Sequence, residues 1–482
     1  MSYINTNISS MIAVNALNNN QSALQTSLQR LSTGYSINSG KDNPSGLIAS
    51  QSLQAEAAGT KMAISNAQQA NNVIGTAEGA LSEVSSLLIS LQGLVNSSAN
   101  GGAMSSSQLS ANQLQVDSIL STINRISNTT NFQGQQLLNG SLGYTTSGVK
   151  TSAISQVQIN SAQIPQGGST NVVVQVLQSA LTGQVIGSAG TAGLASATTM
   201  TVTGNLGSQQ VSFAAGAKAS AIIAAVNQYT SSTGVKAVTS GVYVKFDTSS
   251  YGSNQFVTVT SSSANFATYK GVGITITGST DYGRNATANV NGEKVVSKGL
   301  NLHVVAGNLD ANLTLTAAFA QQTAASKNFQ VTGGGATFSL GDQVNAAGLA
   351  SIGIASTVTS NLGTLTDSAG AVVSLSALGS GQSAALNNGG AALAQQILNN
   401  SINQVSTLRG RLGAFQANVL SSIQNSLNVT LENVSSSNAT ISNTNFASET
   451  ANLTQAQVLV QAATGVLAQA NAAPQNVLKL IP

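Results

Sequence analysis

Few side chains in this chain can take part in acid–base, nucleophilic or metal chemistry. Among its 482 residues are 16 Lys and Arg, 13 Asp and Glu, one His and no Cys. This composition excludes thiol nucleophiles, disulfides, zinc sites of the Cys/His type and His-based catalytic triads. Glu78 and Glu83 are five residues apart and do not face each other on a helix, which argues against a catalytic carboxylate pair. We therefore expect a protein that is not an enzyme and that holds no cofactor or metal.

The lone histidine, His303, lies in a segment that reads as a β-strand. The alternation of residues puts Leu300, Leu302 and Val304 on one face of this strand and His303 on the other. A catalytic histidine needs partner residues that this sequence does not supply. We expect His303 to be exposed or hydrogen-bonded on the strand surface.

Three further charges lie in or beside predicted helices. Asp42 precedes Pro44 by two residues and is, from the sequence alone, either the cap of the following helix or a charge between subunits. Arg409 and Arg411 are expected to be solvated helix charges, although an ion pair counts for more where charges are so rare.

The surface is expected to be polar but almost uncharged. Charged residues make up 6% of the chain and hydrophobic residues 41%, so Ser, Thr, Asn, Gln and Gly must cover most of the surface. The net charge of +3 is spread thinly, which argues against a nucleic-acid partner. No apolar run approaches the ~20 residues of a membrane span, so no membrane insertion is expected. The N-terminus lacks the features of a cleavable signal peptide, and secretion would need another route.

Regular apolar spacing predicts long helices in the N-terminal part. Within residues 63–95 the apolar positions advance by three and four, as in a helix-packing seam. A second seam over 109–126 follows the break at Gly101–Gly102 and is expected to turn back on the first. A looser stripe over 4–31 is predicted to end at Thr33–Gly34, because glycine commonly terminates a helix.

The C-terminal part repeats this pattern. Apolar residues recur at helical spacing from Val405 to Ala470, and the last helix is expected to stop near Pro474. These terminal helices carry more than one apolar stripe and almost no flanking charges. This favours packing against several neighbours over a two-stranded coiled coil pinned by salt bridges.

Between about 146 and 385 the period changes to two and Val, Thr, Ser and Gly dominate. One helix is predicted over 217–229, and Asn291–Gly292 predicts a type I′ hairpin between 286–290 and 294–296. Further strands are predicted over Asn171–Leu177, Val242–Phe246, Phe256–Thr260, Ile274–Ile276, Leu300–Val304 and Leu313–Leu315. The middle of the chain is therefore expected to be a mostly β insertion of one or two domains.

Both ends of the chain resemble bacterial flagellin, over roughly 1–145 and 390–482. The resemblance is carried by Ile4–Asn7, Arg30–Gly34, Ile37–Asp42, Thr76–Glu83, Arg125–Phe132, Leu137–Gly140, Leu408–Arg409, Leu412–Ala414, Val466–Asn471 and Pro474–Leu478. In the middle, Asp281–Glu293 and Lys218–Ala237 look like short motifs often found in flagellins and hook-associated proteins. Zinc-protease flagellins carry a His-Glu-x-x-His motif, which a chain with one histidine cannot form.

The resemblance implies an α+β fold in which long terminal α-helices from both chain ends form a coiled-coil-like bundle around a mainly β, outward-facing insertion. Five segments are expected: filament-core helices at 1–44 and 450–482, a helical shell at 45–145 and 386–449, and a variable surface region at 146–385. The terminal helices are expected to order only on assembly, because their apolar stripes have too little partner surface in a monomer.

The resemblance also implies which residues serve assembly. The expected polymerisation interface comprises Ile4, Ile8, Leu17, Leu24, Leu28, Leu31, Asp42, Leu453, Val460 and Leu467. The expected seam of the helical shell comprises Ile74, Leu81, Val84, Leu88, Leu91, Val116, Ile119, Ile123, Leu412 and Phe415. For Asp42, the resemblance favours the role in assembly over the helix cap.

The function that follows is a secreted, extracellular structural subunit that polymerises into the bacterial flagellar filament for swimming motility. Implied partners are further copies of the chain, the type III flagellar export apparatus, a secretion chaperone, and the cap and hook-associated proteins. Two alternatives stay open: a hook–filament junction protein, and a secreted β-rich adhesin. Weak or no recognition by the innate flagellin receptor is expected, because the charged positions that flagellins present to it fall on Ser90, Gln92 and Gly93.

Overall fold

A computed structural model describes residues 6–100, 104–164, 168–188, 193–263, 266–270, 278–307, 309–366 and 371–478. The chain divides into two compact units. The first comprises Met1–Ala70, Ser339–Gly348 and Ala417–Pro482, and the second comprises Asn71–Phe338 and Leu349–Gln416. Each unit therefore combines segments that are far apart in the sequence.

The α-helices are concentrated towards the two chain ends. They are α1 (Ile8–Thr33), α2 (Pro44–Ser98), α3 (Ser106–Thr129), α4 (Ala219–Asn227), α5 (Thr230–Thr233), α6 (Ala317–Ala320), α7 (Ala391–Ala414), α8 (Ser421–Ser442) and α9 (Phe446–Leu478), with a π-helical segment at Phe415–Leu420 and short 3-10 helices at Ala346–Gly348, Leu375–Leu378 and Leu386–Asn388. Within the described residues, no helix combines the length and apolar character needed to cross a membrane.

The strands occupy the middle of the chain. They are β1 (Asn131–Phe132), β2 (Gln135–Gln136), β3 (Tyr144–Ser147), β4 (Ile154–Ala162), β5 (Thr170–Gln178), β6 (Gln184–Ser188), β7 (Thr198–Gly204), β8 (Gly207–Phe213), β9 (Val235–Ser240), β10 (Tyr243–Thr248), β11 (Phe256–Ser261), β12 (Thr268–Lys270), β13 (Thr280–Tyr282), β14 (Thr287–Val290), β15 (Glu293–Val296), β16 (Asn301–Ala306), β17 (Leu309–Leu315), β18 (Ser326–Gly334), β19 (Ala336–Ser339), β20 (Leu349–Ile352), β21 (Leu365–Thr366) and β22 (Val372–Val373). Long helices at both ends with a β-rich middle confirm the predicted fold class.

In the first unit, α1 packs along α9. Asn7 caps α1 by accepting a hydrogen bond from the Ser10 amide, and Gly34 ends it in the left-handed conformation, φ 76°. The predicted end at Thr33–Gly34 is thus confirmed. Apart from Glu449, the residues buried along this helix pair are small: Ala13 and Ser27 on α1, and Ala456 and Ala463 on α9. Small side chains let two helices approach closely but bury little apolar area.

The predicted end of the last helix near Pro474 is wrong, because α9 continues to Leu478. A proline inside a helix removes one amide donor and usually kinks or ends the helix. Here the carbonyl that loses its donor, that of Ala470, accepts a hydrogen bond from the Asn7 side chain at 2.8 Å. Proline is tolerated where another donor satisfies the freed carbonyl.

The helical part of the second unit is joined by hydrogen bonds as well as by apolar packing. On α3, the buried Gln113 side chain donates to the Leu378 carbonyl at 2.8 Å and accepts from the Leu386 amide at 2.8 Å. It thereby ties the segment that precedes α7 to α3. A buried amide is stable in such a place only when its hydrogen bonds are made.

The β part of the second unit contains two apolar clusters. Sheets β15-β14-β5-β18-β3 and β16-β17-β4 supply the first cluster, which includes Val174, Leu313 and Phe329. Sheets β12-β6-β10-β9 and β13-β11-β7-β8, with α4, supply the second, which includes Ile222 and Phe246. Both clusters belong to the second unit, and the number of domains in the insertion stays a prediction.

The second cluster lies entirely within the chain between β5 and β14. At its base, Leu181 and Arg284 exchange two backbone hydrogen bonds of 2.9 Å. The chain therefore enters and leaves this part at neighbouring points, which is typical of an inserted domain.

Most of the predicted strands and the hairpin are confirmed. β14 and β15 pair around Asn291 and Gly292, whose φ values of 50° and 95° are those of a type I′ turn. The predicted helix over 217–229 corresponds to α4. The predicted strand at 274–276 lies outside the described residues. β4, β6, β7, β8 and β18 were not predicted from the sequence.

Candidate functional site

The paired terminal helices α1 and α9 hold most of the residues predicted to act in assembly. The helices run antiparallel: Asn7 contacts Ala470, the Asn20 side chain donates to the Leu459 carbonyl at 3.3 Å, and Arg30 lies 3.7 Å from Glu449. Polar contacts are thus distributed along the whole length of the pair.

Six of the predicted interface residues are half-buried on the sides of these helices that carry the buried small residues. They are Leu17, Leu24, Leu31, Leu453, Val460 and Leu467. They recur with Ala13, Ser27, Ala456 and Ala463 at steps of three and four, so they flank the contact between α1 and α9 within one chain. Ile8 and Leu28 are exposed, and Ile4 lies outside the described residues.

Other apolar residues of the two helices are exposed and were missed by the sequence analysis. They are Met11, Ile12 and Val14 on α1, and Val458, Leu459 and Val466 on α9. Ile12 belongs to the stripe predicted over 4–31 but was not assigned to the interface. For the others the available signal was a position off the apolar stripes, since an apolar residue that does not face the partner helix must face something else or solvent. Together with Ile8, Leu28 and Phe446, these six residues make up the exposed apolar surface of α1 and α9 that a single chain leaves uncovered.

A groove of about 340 Å³ lies between α1 and α9. Its lining is mainly polar and includes the Arg30–Glu449 pair. The Glu449 side chain is buried, and the Arg30 Nε has no hydrogen-bond partner. This arrangement offers an ion pair for packing, but no pair of groups placed for proton transfer or nucleophilic attack.

The structure tests one of the two alternatives for Asp42, the helix cap. Asn43 caps α2, since its Oδ1 accepts from the Gly46 amide at 2.9 Å. Asp42 instead closes the preceding loop: its Oδ2 accepts from the amides of Asn38 and Ser39 and from the Ser39 hydroxyl. The helix-cap interpretation is therefore wrong. Hydrogen bonds from the Ser39 side chain and backbone lower the pKa of the Asp42 carboxyl.

Eight of the ten residues predicted for the shell seam are fully buried. They are Ile74, Leu81, Val84, Leu88, Leu91, Val116, Ile123 and Leu412, each 0% exposed. Ile119 is only half-buried, because the inner face of α3 is formed by Gln113, Leu120 and Ser127 together with Val116 and Ile123. Phe415 is also half-buried, with its ring 6.2 Å from that of Phe338.

The expectation of a solvated charge is wrong for Arg411, whereas Arg409 is partly exposed and forms an ion pair. The Arg409 Nε donates to the Glu78 carboxylate at 2.8 Å. The Arg411 guanidinium donates to the carbonyls of Asn160 and Gly353, at 2.8 and 3.2 Å. Burial lowers the pKa of Arg411, and the nearby Asp310 charge opposes that effect. Both arginines therefore anchor α7 to other parts of the second unit.

His303 lies where the sequence analysis placed it, on the exposed face of β16 between the buried Leu302 and Val304. Its Nδ1 is 2.9 Å from Asn312 Oδ1 and 3.7 Å from Asp310. Among the described residues, no group of three or more His, Cys, Asp or Glu is placed to hold a metal ion.

Comparison with known proteins gives a consistent family assignment. The model of the bacterial flagellin N-terminal helical region matches residues 4–142, that of the C-terminal helical region matches 395–481, and that of the flagellin hook IN motif matches 199–250. The helical models thus fall on the helical ends, and the third falls on β7 to β10.

Curated relatives include the B-type flagellin of Pseudomonas aeruginosa, which is 30% identical over 534 residues and aligned over 99% of both chains. Flagellin B of Vibrio cholerae serotype O1 is 41% identical over 140 residues, which are 29% of this chain and 37% of the relative. The match therefore spans little more than a third of such Vibrio relatives. The solved structure of FliC from Burkholderia pseudomallei is 18% identical and aligned over 72% of this chain and 98% of that one, with a TM-score of 0.24.

Proposed function

The chain belongs to the bacterial flagellin family, and from that premise we propose that it is a structural subunit that polymerises into the flagellar filament. The observation that carries this proposal is the exposed apolar surface on α1 and α9. Nine large apolar side chains remain in solvent on two helices that already pack together. Additional copies of the chain would cover them and supply the free energy of assembly.

The mechanism of such a subunit is mechanical rather than chemical. Helices packed along a common axis form a stiff tube that transmits torque, and small register shifts between packed subunits change the supercoil. The mainly β part would project from the tube without taking part in its core. This role requires neither a cofactor nor a catalytic residue.

The proposal places the protein outside the cell, in the filament. The partners that follow are further copies of the chain, the flagellar export apparatus, a secretion chaperone that binds the C-terminal helix, and the cap and hook-associated proteins. A hook–filament junction protein would share the terminal motifs but would be present in few copies. The number of copies per filament, measured on purified flagella, separates these two roles.

Polymerisation of an exposed-surface variant tests the proposal. Ile12→Asn places a polar group on the exposed apolar surface of α1, and Val305→Asn makes the same kind of change on β16. The two side chains are matched in exposure, at 64% and 63%. We expect wild type and Val305→Asn to form filaments in polymerising salt, seen by negative-stain microscopy, and Ile12→Asn to be strongly impaired. No filaments from wild type, or equal polymerisation of Ile12→Asn, would contradict the proposal.

We do not expect the innate flagellin receptor to bind this protein efficiently. The positions that correspond to the charged contacts of related flagellins hold Ser90, Gln92 and Gly93, of which Ser90 and Gly93 are exposed on α2. Loss of charged anchors commonly costs an interface a few kcal/mol, roughly two orders of magnitude in affinity. We expect weak signalling by the monomer in a receptor reporter line and partial recovery with Ser90→Arg combined with Gly93→Glu. Strong activation by endotoxin-free wild type would contradict this expectation.

A further inference from the structure

The contact between Asn7 and Ala470 depends on a proline four residues away. α9 continues as a helix through position 474, and proline has no amide hydrogen. The carbonyl of Ala470 therefore lacks the helical donor that its neighbours have. Pro474 is the only proline within α1 or α9, so this vacancy occurs once along the helix pair.

Asn7 donates a hydrogen bond to this free carbonyl and also caps its own helix. Its Nδ2 donates to the Ala470 carbonyl at 2.8 Å, and its Oδ1 accepts from the Ser10 amide at 3.1 Å. One turn further on, the Ser10 hydroxyl donates to Asn471 Oδ1 at 2.8 Å. These two hydrogen bonds join residues that are 463 and 461 positions apart in the sequence.

Apolar packing alone specifies the register of these helices poorly. The residues that face the partner repeat every seven positions: Ala13, Asn20 and Ser27 on α1, and Ala456, Ala463 and Ala470 on α9. A slip by one heptad would bring similar small side chains opposite each other. Polar contacts that exist in only one register exclude such a slip, as buried polar residues do in coiled coils. The Arg30–Glu449 pair supplies one at the far end.

We propose that Asn7 is a positioning residue that sets the register of α1 against α9 by donating to the carbonyl that Pro474 leaves free. The inference rests on the proposed filament function, because correct register is needed for the paired helices to present one assembly surface. It assigns linked roles to two residues near opposite ends of the chain. Either residue is useful to the register only when the other is present.

The test is a cycle of substitutions read by the critical concentration for polymerisation of the full chain. Asn7→Asp keeps a good helix cap but removes the donor, because an ionised carboxylate only accepts. Asn18→Asp is the matched control, at an exposed position of α1. Pro474→Ala returns a helical amide donor to the Ala470 carbonyl.

At neutral pH we expect Asn7→Asp to raise the critical concentration about tenfold above that of Asn18→Asp, equivalent to about 1.4 kcal/mol per subunit. Asn18→Asp carries the same added charge on the exposed side of α1, near Met11 and Val14, and so measures the effect of a charge on this helix without loss of the Asn7 donor. In the Pro474→Ala background, Asn7→Asp should change the critical concentration by less than about twofold, because the carbonyl no longer depends on residue 7. Near pH ~3.5 the carboxyl introduced by Asn7→Asp becomes protonated and regains a donor, so the deficit of this variant relative to Asn18→Asp should shrink.

The possible outcomes separate this inference from the proposed function. If wild type does not polymerise, the filament proposal fails. If wild type polymerises and Asn7→Asp behaves like Asn18→Asp, the positioning role of Asn7 is wrong. An equal loss from Asn7→Asp with and without Pro474 would show that Asn7 acts independently of the freed carbonyl, and would also overturn the inference.

Discussion

Replacing Arg411 by methionine should loosen α7 much more than the same change at Arg409. The two residues are two positions apart on one helix, and both side chains make polar contacts within the second unit. They differ in which polar groups lose their hydrogen-bond partner when the arginine is replaced. Methionine keeps a long, unbranched side chain and removes only the charge and the donors.

The size of the effect follows from the partners. Without Arg411, the carbonyl of the buried Gly353 loses the one donor that the structure shows for it, at a cost of about 1–3 kcal/mol. The Asn160 carbonyl still accepts from the Gly353 amide, so only a charge-assisted bond is lost there, about 1.5 kcal/mol. The sum is about 2–5 kcal/mol. Arg409 and Glu78 are 34% and 31% exposed, so solvent screens this pair and its loss should cost about 0.2–1 kcal/mol.

Hydrogen exchange measured by mass spectrometry on peptides from α7 and β4 reads this effect locally, which suits a chain with two units. A loss of 2 kcal/mol corresponds to roughly thirtyfold faster exchange through the same opening. Arg411→Lys should fall between wild type and Arg411→Met, because an ammonium group cannot fork to both carbonyls. Arginine stays protonated at neutral pH, so the difference should not vary with pH there. Equal acceleration in Arg409→Met and Arg411→Met would refute the reasoning.

Three further changes have definite expected outcomes. The hydrogen-bonded Asp42 carboxyl has a lowered pKa. Its stabilisation of loop 38–42 is therefore present above the unfolded-state pKa of about 3.9 and is lost as the pH falls through the lower folded value. The amide resonances of Asn38 and Ser39 should titrate below pH ~3.9 in wild type and should not change in Asp42→Asn. Gly363→Ala should destabilise the second unit by about 3 kcal/mol or more, because φ is +67° and a Cβ would lie 2.2 Å from Ser401 Oγ and 2.4 Å from the Ile397 carbonyl. Gly241→Ala, at φ +61° with open space around the added Cβ, should cost only about 1–2 kcal/mol. Equal melting temperatures of the two variants would contradict this prediction. Replacing residues 182–283 by an Asn-Gly turn should leave the first β cluster folded and the filament intact but thinner, because Leu181 and Arg284 are already paired; circular dichroism and electron microscopy would detect failure.

The parts of the fold that were predictable from sequence have a local signal. Asn291–Gly292 predicts its hairpin because both turn residues need positive φ, which Asn and Gly adopt at low cost. The helical seam around Leu81 and Leu88 was readable because apolar residues recur there without interruption. On α3 the same reasoning chose Ile119, because Gln113 looks like a surface residue until its two buried partners are known.

The missed strands lack such a signal. β7 buries Thr198, Met200, Val202 and Gly204, and only two of these are recognisably apolar in sequence. Threonine and glycine do not mark a buried position by their polarity, so the alternation of polarity almost disappears in β7. The pairing of β7 with β8 and β11 comes from tertiary contacts that no local pattern encodes.

The same limit explains why Arg411 and the helical Pro474 were misjudged. In each case the deciding contact joins residues far apart in the sequence and ends on a backbone carbonyl. Arg411 donates to the Gly353 carbonyl, and Asn7 donates to the Ala470 carbonyl that the proline leaves free. Carbonyls are present at every residue and so leave no trace in composition or spacing. With only 6% charged residues, the chain has few ion pairs with which to distinguish one packing register from another. Single hydrogen bonds to such carbonyls must then specify register, and a substitution at one of them should alter assembly more than its exposure would suggest.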